Sequence, residues 1–456
     1  MRLLFKQAYQ SFKNINFKLC LCLLLMGFIP TIYQTIRIFL LGQIADDSSF
    51  SIASQMQWVE VIYEVVQEAA ILPLFFFIGK AFKESGSKLF KDSQIANMIR
   101  TGLIIVFCVF AVISLILIIF ANPLVQLMAQ DYSILQQTAT YIRLETLAKL
   151  VDLLVKFVVI VLVVLKKEKY LYIILTLQMV LSILFDLFLL SNLPISAKIG
   201  VNGIAISNII VNLTLFIVSI IILHKESLTI FQKTKLSFKW INGWIKIGAI
   251  SGIESLIRNI LFIFIVVRMV NIVGEQGTFW LANNFIWGWL LLPILQLGEL
   301  IKRDCGENKN AIQQNLLGYF ALTTVFLIFW FVSIPLWKLF LRDVLQLNSY
   351  EDIFFICIIS IPFYIIFAFN NVIDSIFYGI GKTKYMLYQT IITNIVWYGG
   401  VFIFYILGIF HPTLISITLM FAISIAIDSI VTFIIFGHML KKQKITILNN
   451  HVKPLQ

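Results

Sequence analysis

The sequence predicts an all-α polytopic membrane protein: twelve transmembrane helices in two six-helix lobes, related by pseudo-twofold symmetry along the membrane normal. Three observations predict it. Of the 456 residues, 60% are apolar and only 13% charged, with a mean hydropathy of +0.94; a soluble domain is nearer about 45–50% and 25%. Apolar runs of about 20 residues, enough to cross a bilayer once, recur down the whole chain between short polar segments. The basic residues outside those runs fall almost entirely in alternate connecting segments. A transmembrane barrel needs alternating segments of about 10 residues instead, and these are absent from the sequence.

The chain opens on a basic, polar stretch, residues 1–18. No small-residue cleavage site follows the first apolar run, so that run reads as an uncleaved span and not as a signal peptide. Runs fall at 17–41, 56–79, 100–121, 139–165, 170–191 and 200–223, then at 244–271, 279–301, 314–341, 352–379, 385–409 and 413–437. An even number puts both termini on one side. With that side cytoplasmic, Arg37, Arg143, Lys149, Lys156, Arg258 and Arg268 lie within spans, and only Lys198, Lys338 and Arg342 fall in outer loops. All the rest of the 35 Lys and Arg residues face inward, as the positive-inside rule requires. The expectation is a multi-pass protein of the cytoplasmic membrane with both termini cytoplasmic. Its net charge of +12 then meets anionic lipid headgroups on the inner face and needs no nucleic acid.

The halves repeat. Tyr33-Gln34-Thr35-Ile36-Arg37 in the first span parallels Glu254-Ser255-Leu256-Ile257-Arg258 in the seventh, and Leu72-Pro73 parallels Leu292-Pro293. Lys167-Glu168-Lys169-Tyr170-Leu171 after the fourth span parallels Lys382-Thr383-Lys384-Tyr385-Met386 after the tenth. A repeat of six spans gives parallel halves facing each other across a central cleft, which is a transporter plan. The expected organisation is an N-lobe over 1–223, a cytoplasmic linker over 224–240, a C-lobe over 241–440 and a cytoplasmic tail over 441–456. A monomer is expected.

The five cysteines (Cys20, Cys22, Cys108, Cys305, Cys357) and four histidines (His224, His411, His438, His451) lack metal-ligand spacing. Neither a disulfide framework nor a metal site is expected, and no cofactor beyond a coupling H⁺ or Na⁺. A Gly-rich phosphate loop is absent, which argues against ATP drive, and no nucleophile–base constellation suggests an enzyme.

The spans also hold ten acidic residues: Glu60, Glu64, Glu68, Glu145, Asp152, Asp186, Glu254, Glu299, Asp374 and Asp428. Each charge costs roughly 2.5–3.5 kcal/mol near a span centre. They cannot all face lipid, so most must pair or line a wet cavity. Arg268, Glu299 and Asp428 are expected to snorkel from span ends. Glu60, Glu64 and Glu68 recur every four residues and share one face of the second span. Glu145, Lys149, Asp152 and Lys156 form a stripe on the fourth, while Phe157 to Leu165 is purely apolar. Together with Arg37, Arg143 and Asp186 they predict a charged vestibule in the N-lobe. The plainer alternative is a salt-bridge network that only locks the lobe.

The second half offers Glu254 and Arg258 in the seventh span, Asn283 and Asn284 with Trp280, Trp287 and Trp289 in the eighth, and Asn370, Asn371 and Asp374 in the tenth. An aromatic and amide lining suits an amphipathic solute; the alternative is an interfacial aromatic belt, expected for Trp280, plus ordinary helix packing. Pro73 and Pro293, at matching depths, are candidate hinges, though a static kink is the commoner outcome.

Several stretches carry a family resemblance: Ile36-Arg37-Ile38-Phe39-Leu40-Leu41-Gly42, Leu184-Phe185-Asp186-Leu187, Gly200-Val201-Asn202-Gly203-Ile204-Ala205 and Tyr378-Gly379-Ile380-Gly381-Lys382-Thr383. With the twelve spans and the repeat, the chain resembles the MATE (multidrug and toxic compound extrusion) exporters, of the superfamily that includes lipid-linked oligosaccharide flippases. The resemblance implies Na⁺ or H⁺ binding in the N-lobe by a first-span aspartate and an Asn-x-x-x-Asp pair in the fifth. Asp186 matches that aspartate, but Ser182 stands at the asparagine position and Arg37 at the first-span aspartate. Asn208 stands where the family offers a polar ligand in span six. Another branch uses a seventh-span glutamate, where Arg258 stands here, with Glu254 one turn earlier. Glu60, Glu64 or Glu68 are then candidates to carry the coupling ion.

Three functions follow for comparison. The first is a secondary exporter moving a polar or amphipathic small molecule by alternating access, driven by H⁺ or Na⁺. The second is a flippase or exporter of a lipid-linked or phosphate-bearing cargo, for which Arg37, Arg143, Lys149, Lys156 and Arg258 would supply the cations. The third, a channel or scaffold, lacks a repeated selectivity ring.

Overall fold

In the computed structural model the described residues are 2–44, 48–71, 78, 93–165, 167–226, 228, 236–307, 310–382 and 384–443. Among them every regular element is helical. Among the described residues nine helices are long and apolar enough to cross a membrane, and a bent pair, Gln276–Leu290 with Leu292–Cys305, makes a tenth if counted as one span. The other two expected spans are the second, described over Met56–Ala70, and the fourth, Leu135–Val164. Both carry charges along their length, and for the fourth that is why composition alone does not mark it as a span.

The chain divides into two compact units, Tyr33–Gly277, and Met1–Ile32 with Thr278–Gln456. The repeat divides the chain by sequence; packing divides it elsewhere. The seventh span thus belongs with the helices of the first half, and the opening turns of the first span, Phe17–Gly42, belong with those of the second.

The first of these units is built on Ser93–Ile119, Leu135–Val164, Glu168–Leu189 and Asn202–Lys225. The apolar half of the fourth span supplies its core: Leu153, Phe157, Val158, Val161 and Leu162 are fully buried, against Phe110, Val106 and Leu215. Spans two and seven touch closely, since a Cβ on Gly252 would lie 2.7 Å from that of Ala69. The seventh helix runs Ile241–Leu261, passes through a π-helical stretch at Phe262–Val267 and ends at Ile272.

In the other unit the amphipathic helix Arg2–Lys13 lies against the ninth span, Ala311–Leu339, where only glycine fits: a Cβ at Gly318 would sit 2.5 Å from the Ser11 carbonyl. The eighth span bends by 52° between Leu290 and Leu292. Pro293 stands in the first turn after the bend and a π-helical turn, Ile286–Leu290, precedes it. Backbone carbonyls at the bend are taken up by side chains. The Trp330 indole donates to Leu290 O (2.8 Å) and the Thr31 hydroxyl to Gly288 O (3.2 Å). Such substitutes are what let a transmembrane helix break. The other candidate hinge, Pro73, lies outside the described residues.

Candidate functional site

In the unit Tyr33–Gly277, ionisable side chains from several spans converge. Arg37 and Asp186 form a bidentate pair, Nε to Oδ2 at 2.7 Å and Nη2 to Oδ1 at 3.2 Å, with Asp186 only 1% exposed. Two parallel N–H donors meeting one carboxylate are the strongest form of this interaction. On the fourth span Lys149 bridges Glu60 (3.3 Å) and Asp152 (3.5 Å), and Lys156 closes the ladder on Asp152 (3.2 Å). The i, i+3 and i, i+4 spacing of that stripe makes the ladder possible. Tyr33 lies within electrostatic reach of Arg37, Lys149, Asp152 and Glu60.

Glu145 stands apart from the ladder. Nearly buried, its Oε1 accepts from the Asn208 amide (2.8 Å) and the Tyr141 hydroxyl (3.2 Å), while Arg37 is a charged neighbour. Ser182 is buried one turn from Asp186. Glu64 is exposed and Glu68 partly so on the second span; both interact with other groups. Arg143 does not join this cluster. Its guanidinium instead turns to the end of the third span, donating to Ile118 O (3.2 Å) and Asn122 Oδ1 (3.2 Å), where helix-terminal carbonyls need donors.

The other unit holds a second cluster that sequence reasoning only partly located. Asn370 donates to Asp374 Oδ2 (2.9 Å), and one nitrogen of Gln389 serves both Asp374 Oδ1 (3.2 Å) and Asp428 Oδ2 (3.3 Å). Thr393 donates to Asp428 Oδ1 (3.2 Å), and Thr432 to the Gln389 carbonyl. Asp428, expected to snorkel, is held inside this network. Gln389, Thr393 and Thr432 were missed, although a signal existed: spans ten, eleven and twelve each carry a polar pair four residues apart.

The remaining second-half candidates do not converge there. Asn371 donates to Ile294 O (2.9 Å) and Asn284 to Trp280 O (2.9 Å). Trp287 packs edge-on against Phe367 (5.3 Å between centroids) and Tyr364, and Trp289 against Phe340 (5.3 Å). Asn283 is half-buried. The side chains of Glu254 and Arg258 lie outside the described residues.

Comparison with solved structures places this architecture. The chain superposes on an inward-facing multidrug resistance MATE family transporter of the MOP superfamily with a TM-score of 0.74 at 15% identity, covering 93% of this chain and 98% of that one. The fold is that of the MATE transporters. A substituted form of the Vibrio cholerae MATE transporter VcmN matches this chain with a TM-score of 0.67 at 14% identity, over 98% and 99% of the two chains. So does a MOP superfamily transporter from Pyrococcus furiosus, at 0.67 and 16% over 97% and 99%; a reversed polarity of its binding pocket is described as suggesting a different function for that protein. No family model matches the sequence, and no curated protein does either. In this MATE fold the Arg37–Asp186 pair joins spans one and five, and the Asp374–Asp428 cluster joins spans ten, eleven and twelve.

Proposed function

We propose that the chain is a MATE-type secondary transporter that exports a polar or amphipathic organic solute by alternating access, driven by H⁺ or Na⁺. The observation that carries the reading is the convergence of Arg37, Glu60, Glu145, Lys149, Asp152 and Asp186 inside one unit of a MATE fold. Charges so costly in a bilayer face the bundle interior or a water-filled cavity, pair with one another and by default mark a solute or ion pathway. Arg37, Lys149 and Lys156 each have an acidic partner within the unit, and Arg143 caps a helix end. A phosphate would have to displace those partners, so a cationic or zwitterionic solute fits better. One observation favours the second reading, an anionic cargo: Arg37 stands where MATE exporters carry an acid, and a reversed pocket polarity is described for the Pyrococcus furiosus structure.

The test is solute efflux from proteoliposomes under separate H⁺ and Na⁺ gradients, screened over cationic, zwitterionic and phosphorylated compounds. Gradient-driven movement of a cation or zwitterion supports the proposal. Movement of phosphorylated compounds alone, abolished by Arg37→Ala, replaces it with the second reading.

A further inference from the structure

Arg268, near the end of the seventh span, has a task in neither charged cluster. Its Nε donates to Leu127 O at 3.0 Å, and among the described residues no carboxylate pairs with it. Asp131, in the loop after Leu127, accepts instead from the Ser133 N–H (2.8 Å). A guanidinium carries five N–H donors, so most of them are left for something outside the protein. A charge so placed in a membrane-spanning helix is costly unless it finds a partner.

The same Leu127 lines an apolar groove of about 300 Å³. Its walls are Trp58 and Ile62 of the second span, Leu256, Ile260 and Phe264 of the seventh, and the short helix Ala121–Leu127 that follows the third. Leu127, Leu256, Ile260 and Phe264 are exposed. The two polar side chains in the lining are spent within the protein: Asn259 donates to the Ser255 hydroxyl (3.3 Å) and the Trp58 indole to Gln55 Oε1 (3.1 Å). The groove therefore offers carbon, and at membrane depth carbon is covered by hydrocarbon and not by water. Its length fits one leaflet. Leu256 to Phe264 spans about 12 Å along the helix and Arg268 stands about 6 Å further on, against about 15 Å of hydrocarbon per leaflet. The guanidinium thus lies at the level of lipid phosphates.

We propose that this groove binds one anionic phospholipid, an acyl chain lying between spans two and seven and the phosphate held by Arg268. Arginine meets a phosphate through parallel N–H donors. A net anionic headgroup is favoured because an ethanolamine or choline cation would find no acid paired to Arg268's surroundings to receive it, whereas a single negative charge completes the site. The lipid would tie the second span, the seventh and the helix Ala121–Leu127 together. The site stands whatever solute the protein exports.

The test uses purified full-length protein in a neutral maltoside detergent, with phosphatidylglycerol carrying a photoreactive diazirine in one acyl chain and labelled peptides mapped by mass spectrometry. Labelling within 124–128 and 256–264 should saturate, and should be displaced by unlabelled phosphatidylglycerol but not by phosphatidylcholine of the same chains. Arg268→Gln should weaken the apparent affinity about tenfold, as the loss of a charge-assisted hydrogen bond predicts, and Arg268→Lys should weaken it less. Ile260→Trp keeps Arg268 and places an indole in the groove; it should abolish the saturable labelling, and it carries the test if Arg268→Gln does not fold. Labelling spread without saturation over other exposed helix faces, equal displacement by phosphatidylcholine, or either variant labelling like wild type overturns the proposal. Displacement by tetraphenylphosphonium overturns it too, and makes the groove a pocket for organic cations.

Discussion

In the unit Tyr33–Gly277, Asp186 and Asp152 lie 2.7–3.5 Å from Arg37, Lys149 and Lys156. In the other unit, Asp374 and Asp428 accept instead from the amides of Asn370 and Gln389 and the hydroxyl of Thr393. Both units bury acids in an apolar fold, and they meet the desolvation penalty by different means. An internal counter-ion neutralises the acid permanently and leaves little reason to bind a cation. Neutral hydrogen-bond donors also stabilise a buried carboxylate, without a full charge of their own. The comparison teaches that the acids best placed by sequence resemblance are not the only buried acids the fold holds in a network.

The largest expected effect comes from breaking the internal counter-ion. Asp186→Leu leaves Arg37 buried without its partner and should destabilise the fold by about 3–5 kcal/mol, read as a fall in Tm in detergent. The double variant Arg37→Met, Asp186→Leu should recover most of that loss, because an apolar pair of similar volume carries no desolvation penalty. Failure of the double variant to recover would mean that Arg37 and Asp186 have further essential partners, and the contrast between the two units would blur.

Glu145 sharpens the comparison from within the first unit, since it too is held by neutral donors, Tyr141 and Asn208. Glu145→Ala strands both donors and should cost about 1–3 kcal/mol, whereas Glu145→Gln keeps an acceptor and should cost clearly less. If the two variants lose equally, the carboxylate's charge matters more than its hydrogen bonds, and Glu145 belongs with the ion-paired acids.

Much of the fold was legible because the bilayer leaves few solutions: apolar length, charge asymmetry and the six-span repeat each marked the twelve helices. The site was legible where charge sat at helical spacing on one span, as in Lys149, Asp152 and Lys156. It was less so where partners come from different spans. Nothing local distinguishes Arg143, which turns to a helix end, from Arg37, which meets Asp186. Gln389 and Thr393 are ordinary polar residues until the fold sets them against two aspartates. The compact units were not legible either, because a sequence repeat does not say which helices pack together.

A final ion pair, outside the spans, sets the lower limit of the comparison. Glu226, just beyond the sixth span, meets the Lys167 ammonium at 2.5 Å and the Tyr170 hydroxyl at 2.6 Å. The hydrogen bond from Lys167, then that from Tyr170, holds the Glu226 carboxyl below the usual glutamate range. A carboxyl lowered on folding contributes stability above its unfolded value and loses it as pH falls through the folded one. Glu226→Gln should therefore lower stability slightly near neutral pH, by under about 1 kcal/mol as for other surface pairs, and the difference in Tm from wild type should vanish in acid. High salt should shrink it too, since water and ions reach this pair. Asp186→Leu should show no such salt dependence if the Arg37 pair is as enclosed as the 1% exposure of Asp186 indicates. Equal salt sensitivity in the two variants would mean that water reaches Arg37 as freely as Lys167, so that the first unit's acids are no better neutralised than a surface pair.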